Sequence, residues 1–436
     1  MPRRPGTIDL KINLVDRTEI CPYTYLMDTK TYAIEIIQKL QTEGYIAYFA
    51  GGWVRDYLLG HPSDDIDIAT NAPTQVILDL FPHTILVGIA FGVVIVVKDG
   101  FQFEVTTFRR DINYVDGRKP QQIEMSTAEE DAKRRDFTIN GMFYNPIKHE
   151  IFDFVGGAED LKKGIVRAIG DPYERFVEDR LRMIRAIRFS CHFGFLLDHD
   201  TREAIVENAD TLFPAVAMER VWREFNRMAQ GPRFDHALIE LHSTGLLQQI
   251  FPLLQGVHLH EIKQRAAILM HFPANCPTIL RLMSLFPSCS LDDKLEICRL
   301  LRISKREIDD VRCADQCKRL IECEETAKPI EWVYFYAQPA AQIVLEVHAA
   351  RLPENEKLWE LERHSLRREA FHEHIERLVN KKPLVNAVML KELGFVQGAL
   401  LGYWLKVAEE RTITLDLNNP QKVIEALKMI PKWPIK

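Results

Sequence analysis

The sequence is short of several features that would place it in a special class. Its longest apolar stretch, Ile85 to Val97, falls well below the roughly 18 residues that a membrane-spanning helix requires. The first residues, MPRRPGTIDLKINL, are basic but carry no apolar signal-peptide core, so a cytoplasmic protein is expected. Cysteine is scarce, 8 of 436 residues, and follows no disulfide-framework spacing. Cys313, Cys317 and Cys323 form the one cluster, and the first two would share a helical face. Without a histidine or paired-cysteine motif nearby, reduced structural thiols are favoured over zinc. Low-complexity segments are absent. A basic excess is absent too: the net charge of −6 argues at first against a nucleic-acid partner. That charge is unevenly spread. Residues 1–150 hold 16 Lys and Arg against 21 Asp and Glu, whereas residues 351–436 hold 15 against 12. An acidic front and a mildly basic tail allow a local basic surface.

What is present divides in two. Residues 31–43 pattern as an amphipathic helix. Short apolar segments then alternate with turn signals: YIAYFAGG, DIDIAT, TILVGIAFGVVIVVKDG and FQFEVTTF. VVIVVKDGFQFEV reads as a hairpin turning at Asp99-Gly100. After about residue 158 long helical periods take over, as in Glu178–Phe189 and Ala217–Met228. The expected fold class is α+β: an α/β head of about 150 residues followed by an α-helical remainder. Proline-rich breaks near 272–288 and 327–339 are further candidate boundaries.

The chemistry concentrates in GGWVRDYLLGHPSDDIDIAT, residues 51–70. On a strand, residues two apart point to one face, so Asp65 and Asp67 aim together while Ile66 and Ile68 face the core. Two convergent carboxylates stay ionised cheaply only when a cation joins them. Mg²⁺, which takes one or two carboxylates plus phosphate oxygens, is the natural partner. A polar edge strand would give the same pattern. Gly51 and Gly52, between a strand and a helix, let backbone amides approach a phosphate at a helix N-terminus. Arg55 would grip phosphate oxygens in its guanidinium fork, with Asp56 orienting it. Glu104 in FQFEVTT offers a third carboxylate, or is simply an exposed strand residue.

GGWVRDYLLG, four residues, then DIDIAT resembles the active-site signature of the class II tRNA nucleotidyltransferase and bacterial poly(A) polymerase family. KRRDFTIN at 133–140, DFVGGAEDL at 153–161 and DPYERFVEDRLRMIRAIRF at 171–189 match further motifs in the family's order, across about residues 45–231. The resemblance implies a polymerase-β-like head over 1–157, followed by an elongated helical neck over 158–235, a body over 236–350 and a tail over 351–436. It also implies addition of nucleotides to RNA 3′ ends without a nucleic-acid template. By the same resemblance, Asp65 and Asp67 would bind Mg²⁺; Glu104, the third carboxylate offered by the neighbouring strand, is counted with them as a catalytic residue. Two such ions, roughly 3.5–4 Å apart, would activate the RNA 3′-hydroxyl and stabilise leaving pyrophosphate. Arg135 and Asp136 would recognise the ribose, an internal Arg–Asp pair being the competing reading. Glu178, Asp179 and Arg182 would choose the base. As one continuous helix their i,i+3 and i,i+4 spacing would put all three on one face, and a surface ion-pair trio would share that spacing. Residues 153–161 would be a hinge, and Glu219, Arg220 and Glu224 would lie on a buttressing helix. Gly141 stands where the family usually has alanine.

Bacterial poly(A) polymerases carry a Gly-basic-basic-Phe signature. Here the corresponding place reads Gly88-Ile89-Ala90-Phe91-Gly92, which favours CCA addition to tRNA from CTP and ATP. Residues 106–125 match the family's flexible loop, with Tyr114, Asp116 and Arg118 at its core, and members that add only the two cytidines lack that loop. Terminal A addition alone and poly(A) synthesis remain as alternatives. The tail segment 382–405 departs from the family at Asn386-Ala387-Val388 and at Ala399. A phosphohydrolase could be argued from His199-Asp200, but the further histidines and aspartates of such a fold are missing, and Asp198–Asp200 reads as a turn. An inactive RNA-binding protein would be expected to have lost Asp65, Asp67 or the Arg135-Asp136 motif, and all are present.

Overall fold

The computed structural model describes residues 7–8, 28–61, 63–88, 92–115 and 119–434. The chain divides into two compact units, Met1–Leu259 and His260–Lys436. In the first, helix α1 (Thr29–Thr42) starts at Asp28, whose carboxylate accepts from Thr31 N, and buries Ala33, Ile36, Ile37 and Leu40. That i, i+3, i+4, i+7 spacing is one helical face. Ten strands follow the alternating segments: β1 (Thr7–Ile8), β2 (Ala47–Ala50), β3 (Asp67–Thr70), β4 (Thr84–Gly88), β5 (Val93–Lys98), β6 (Phe101–Thr107), β7 (Arg109–Val115), β8 (Lys119–Met125), β9 (Met142–Asn145) and β10 (Glu150–Asp153).

Eight of these form one mixed sheet in the order β1-β10-β9-β2-β3-β6-β5-β4. β3 and β6 run parallel, with Ile68 opposite Val105, and the other pairs are antiparallel. The β5–β6 hairpin turns at Asp99 and Gly100 with φ of 48° and 87°. Both central residues thus take the positive φ that a tight two-residue hairpin demands. β7 and β8 form a separate two-stranded ribbon. The expected flexible loop is therefore paired backbone over most of its length, with Asp116 and Arg118 outside the described residues.

Helices α2 (Gly52–Leu58), α3 (Thr74–Leu80), α4 (Ala128–Lys133) and α5 (Gly157–Lys163) flank the sheet strands in sequence. The expected hinge at 153–161 is a bonded turn: the Asp153 carboxylate accepts from Val155 N, Gly157 N and Ala158 N. The neck then runs through α6 (Pro172–Glu178), α7 (Leu181–Phe193), α8 (His199–Asn208), α9 (Met218–Ala229), α10 (Phe234–Ser243) and α11 (Leu246–Ile250). A short parallel pair, β11 (Ile165–Val166) and β12 (Leu196–Leu197), ties it together. Leu181, Ile184 and Ile187 are buried as their spacing predicts. α10 packs on α7, and the first compact unit extends to Leu259.

Two expectations fail here. Glu178–Phe189 is not one helix: α6 ends at Glu178 and α7 begins at Leu181. Asp198–Asp200 is not a free turn: Asp198 caps α8, accepting from Thr201 N, and His199 starts the helix.

The second unit is helical from Leu259–Ala267 to Pro420–Lys428. Cys313 and Cys317 lie buried on the helix Lys305–Glu322. Burial pushes the Cys313 thiol up to about 12, the behaviour of an inert core thiol. Asn386 caps the helix Ala387–Glu392, accepting from Val388 N and Met389 N. Ala399 is the first residue of the helix Ala399–Thr414, a position where proline and alanine are both tolerated. Both departures in the tail thus keep local structure intact. Among the described residues no helix is long and apolar enough to cross a membrane.

Candidate active site

Gly51 leaves β2 with φ 65° and ψ −124° and caps α2. A Cβ there would stand 2.8 Å from Arg135 Nη1, the movable end of a long side chain, so it is the left-handed backbone that requires glycine. One turn on, the Arg55 side chain is held on three sides. Its Nε and Nη2 donate to the two carboxylate oxygens of Asp56 at 2.8 and 2.9 Å, and its Nη1 donates to Asn140 Oδ1 at 2.6 Å. The guanidinium also lies 4.5 Å from the centre of the Phe193 ring. These bonds use three of its five N–H groups. Asp56 orients Arg55, as its position suggested.

Asp67 opens β3 with its side chain exposed, and its neighbours Ile66 and Ile68 are buried. Asp65 precedes the strand by two residues and is exposed as well, so the alternation expected of a strand holds although β3 starts later. The parallel register sets Asp67 beside Glu104. Desolvation in its recess, then Glu104 and Asp65, push the Asp67 carboxyl up to about 6 against the pull of Arg135. Negative charge is thus crowded here beyond what Arg135 offsets, which suits a divalent cation. The three acids are nevertheless spread. Among the described residues, the one trio of ligand-type side chains with atoms within 4.8 Å of one another is His199, Asp200 and Glu203, all exposed at the start of α8.

Beside Asp67 opens a cleft of about 450 Å³. Gly51, Gly52, Arg55, Asp67, Arg134, Arg135, Asp136, Asn140, Asp179, Arg182, Arg185 and Phe189 line it. Eight of the eleven residues singled out from the sequence are therefore brought together. Asp65, Glu104 and Glu178 stand outside the lining. Five arginines against three aspartates make the cleft a site for a polyanion.

The pairings inside it differ from those expected. Arg135 does not pair with Asp136. Its Nε and Nη2 donate to the buried Asp131 at 3.2 and 3.1 Å, and Arg134 donates to the same carboxylate. Burial alone would push Asp131 up, but these two arginines hold it below the usual carboxylate range. Asp136 instead accepts from Arg185, Nε at 2.9 Å and Nη2 at 2.5 Å, and from Asn140 Nδ2 at 3.1 Å. Burial works against the charged form, yet Arg185, Asn140 and Arg182 together bring Asp136 down to about 2.

Glu178, Asp179 and Arg182 do not share one helical face. Asp179 sits in the break between α6 and α7 with φ −151° and ψ 104°. From there its carboxylate accepts from Leu181 N at 3.1 Å and from Arg220 of α9 at 2.7 and 3.2 Å. Arg182 donates to Glu178 at 2.5 Å, the i,i+4 pair expected, and to the Arg175 and Arg134 carbonyls. Arg220, read as part of a buttress, is thus the direct partner of Asp179. Glu224 is a buttress: buried, it accepts from Arg188 and Arg227.

Sequence reasoning missed Asp131, Asn140, Arg134 and Arg185. Two signals were available. Asp131 lies three and four residues before Arg134 and Arg135, and Arg182, Arg185 and Arg188 recur every three residues along α7.

A mixed sheet that presents paired acids beside an arginine-lined cleft defines a nucleotidyltransferase head. Comparison with known proteins agrees. Residues 47–167 match the poly A polymerase head domain, and residues 194–256 match the probable RNA and SrmB-binding site of polymerase A. A CCA-adding enzyme of Geobacillus kaustophilus is 37% identical over 301 residues, 69% of this chain and 72% of the relative. One of Anoxybacillus flavithermus is 45% identical over 215 residues, 49% of this chain and 54% of the relative, so that match spans about half the relative's length. A crystal structure of the Bacillus stearothermophilus CCA-adding enzyme in complex with CTP superposes with a TM-score of 0.75 at 29% identity. It covers 92% of this chain and 98% of that one. The chain belongs to the family of tRNA nucleotidyltransferases and bacterial poly(A) polymerases that includes the CCA-adding enzymes. This family generally uses a divalent metal.

Proposed function

We propose that the chain adds CMP and then AMP to the 3′ end of tRNA, taking CTP and ATP as substrates, and that it works in the cytoplasm. The observation that carries this reading is the cleft that joins Asp67, Gly51, Gly52 and Arg55 of the head to Asp179 and Arg182 of the neck. The CTP complex of the Bacillus stearothermophilus relative supports it. Asp65 and Asp67 would hold Mg²⁺, with Glu104 adding negative charge beside them. The bound ion would supply charge stabilisation for the attacking oxygen and the leaving pyrophosphate. The Gly51-Gly52 turn and Arg55 would hold the triphosphate, with Arg135 and Asp136 on the ribose. We assign residues 1–157 to the catalytic head, and a separate body and tail to the second unit, meeting near residue 350.

Selection of the base follows from donor and acceptor count. Cytosine and adenine each present an exocyclic amine beside a ring-nitrogen acceptor. Arg220 and Leu181 N use three of the roughly four acceptor positions of Asp179, leaving one for that amine. Arg182 would donate to the ring nitrogen, its rotamer held by Glu178. Uracil and guanine reverse both groups, so both contacts are mismatched.

One gel tests the reading. Radiolabelled tRNA lacking CCA, ending at C, or ending at CC is incubated with CTP and ATP separately. Stepwise C, C and A addition is expected. Extension by A alone, or a long poly(A) ladder, would move the chain to another branch of the family. No extension of any substrate would overturn the reading.

A further inference from the structure

Asp136 is fully engaged without a nucleotide. Its Oδ1 accepts from Phe137 N at 2.9 Å and from Asn140 Nδ2 at 3.1 Å, and its Oδ2 accepts from Arg185 Nε and Nη2 at 2.9 and 2.5 Å. A carboxylate offers about four acceptor positions, so none is left for a ribose hydroxyl, although Asp136 lines the cleft.

The four bonds are not equally fixed. Phe137 is the next residue and Asn140 lies in the adjoining turn Thr138–Asn140, so both are tied to Asp136 by local backbone. Arg185 comes from α7, also lines the cleft, and is 28% exposed at its side chain. Of its other anionic neighbours, Glu224 is 3.9 Å away, beyond hydrogen-bonding range, and Asp179 acts on it only through its charge. Arg185 is therefore the partner that can leave without unfolding anything. A polyphosphate entering the cleft is a strong competitor for it, since guanidinium forks bind phosphate oxygens bidentately.

We propose that Arg185 couples phosphate binding to sugar selection: paired with Asp136 it closes that carboxylate to the 2′-hydroxyl, and a nucleotide whose phosphates take Arg185 opens it. This rests on the nucleotidyl-transfer reading above and adds a property to it. A preformed ribose site would prefer ribose over deoxyribose equally for every ligand. An exchange site prefers ribose only when phosphates are present.

The wild-type full-length protein suffices for the main test. Binding of CTP, CMP and cytidine is measured by calorimetry against the three 2′-deoxy counterparts at constant Mg²⁺, with CMP as the phosphate-poor ligand if cytidine binds too weakly. A hydrogen bond to a charged group sets the expected scale. CTP should therefore be favoured over its deoxy form by about tenfold or more, and the phosphate-poor ligand by less than about twofold. Saturating inorganic triphosphate should restore ribose preference to cytidine or CMP. In Arg185→Ala, checked for folding by circular dichroism, CTP affinity should fall by about tenfold to a hundredfold, while ribose preference becomes the same for all three ligands. Equal ribose preference for CTP and cytidine in the wild type, alongside normal incorporation, overturns the exchange alone. Failure of the wild type to bind CTP or incorporate it removes the transferase reading and the exchange with it.

Discussion

Asp179 Oδ2 lies 2.7 Å from Arg220 Nη2 and its Oδ1 3.2 Å from Nη1, a two-bond ion pair that fastens the break between α6 and α7 to α9. Both side chains are largely buried. The pair fixes the plane of the carboxylate that we assign to base selection. Asp179→Ala and Arg182→Ala should lower use of CTP and ATP and relax exclusion of UTP and GTP, by about tenfold to a hundredfold in discrimination. Arg220→Gln should loosen selection in the same direction. The Asp179 carboxylate would remain but no longer be held in plane. Single-nucleotide incorporation with each of the four triphosphates is the measurement. Unchanged selectivity in all three variants would make the cluster an ordinary ion-pair network.

The crowded acids predict a metal response readable without activity. At neutral pH, Asp67 carries charge against the repulsion of Glu104 and Asp65. Its folded pKa, raised to about 6 from about 4 in the unfolded chain, means that stability falls as pH rises from about 4 to about 6 and that the whole cost is present at neutral pH in the metal-free protein. Mg²⁺ should therefore raise the melting temperature at pH 7.5, and the gain should vanish in Asp67→Asn. Asp65→Ala and Asp67→Ala should abolish incorporation while leaving RNA binding nearly intact. Residual activity within tenfold of wild type in both would refute the assignment.

Asp136 has the opposite sign. Its folded pKa of about 2 lies below the unfolded value of about 4, so its charge contributes stability above pH 4. The contribution is lost as pH falls from about 4 to about 2. The difference in melting temperature between wild type and Asp136→Asn should be constant from pH 7 to pH 5, worth about 2 kcal/mol, and shrink steadily below pH 4. A difference that grows on acidification would mean that Arg185 does not stabilise the charged form.

Gly141 stands where the family usually has alanine, and the packing explains the difference. An added Cβ would lie 2.6 Å from Val155 Cγ2 and 3.1 Å from Ile169 Cδ1. Gly141→Ala should cost about 1–3 kcal/mol by overpacking, and Val155→Ala in the same chain should recover most of it. Denaturant unfolding of the two single variants and the double variant measures the coupling. Additive costs would show that the two sites do not touch.

The ribbon of β7 and β8 pairs Ile112 with Gln122 near its tip and Arg109 with Met125 at its base. Deleting 112–122 removes the tip and leaves the base. CC addition should persist and A addition should be lost, as the resemblance implies. Equal loss of both steps would assign the ribbon to folding or to general nucleotide binding.

Local spacing made much of this protein legible. Asp65, Ile66, Asp67 and Ile68 alternate because a strand alternates. The turn at Asp99-Gly100 and the face of α1 follow from equally short-range rules, and the ordered motifs from Gly51 to Phe189 pointed to the family. Local spacing accommodates the bonds from Arg134 and Arg135 to Asp131, but the sequence could not show the long-range charge pairs. Arg135 turns to Asp131 four residues back, leaving Asp136 to Arg185, 49 residues on. Asp179 is paired with Arg220, 41 residues away. Such pairings depend on how α7 and α9 pack beside the head, and helical spacing carries no trace of it. The break at Asp179-Arg180 is likewise decided by tertiary structure. Neither residue is a helix breaker, and the extended conformation at Asp179 leaves its carboxylate facing the Arg220 guanidinium, a contact that a continuous helix would have moved to another face. The residue types and their local geometry were therefore determined by the chain itself. The partners of each charge were settled by which surfaces the folded elements bring within three ångströms of one another.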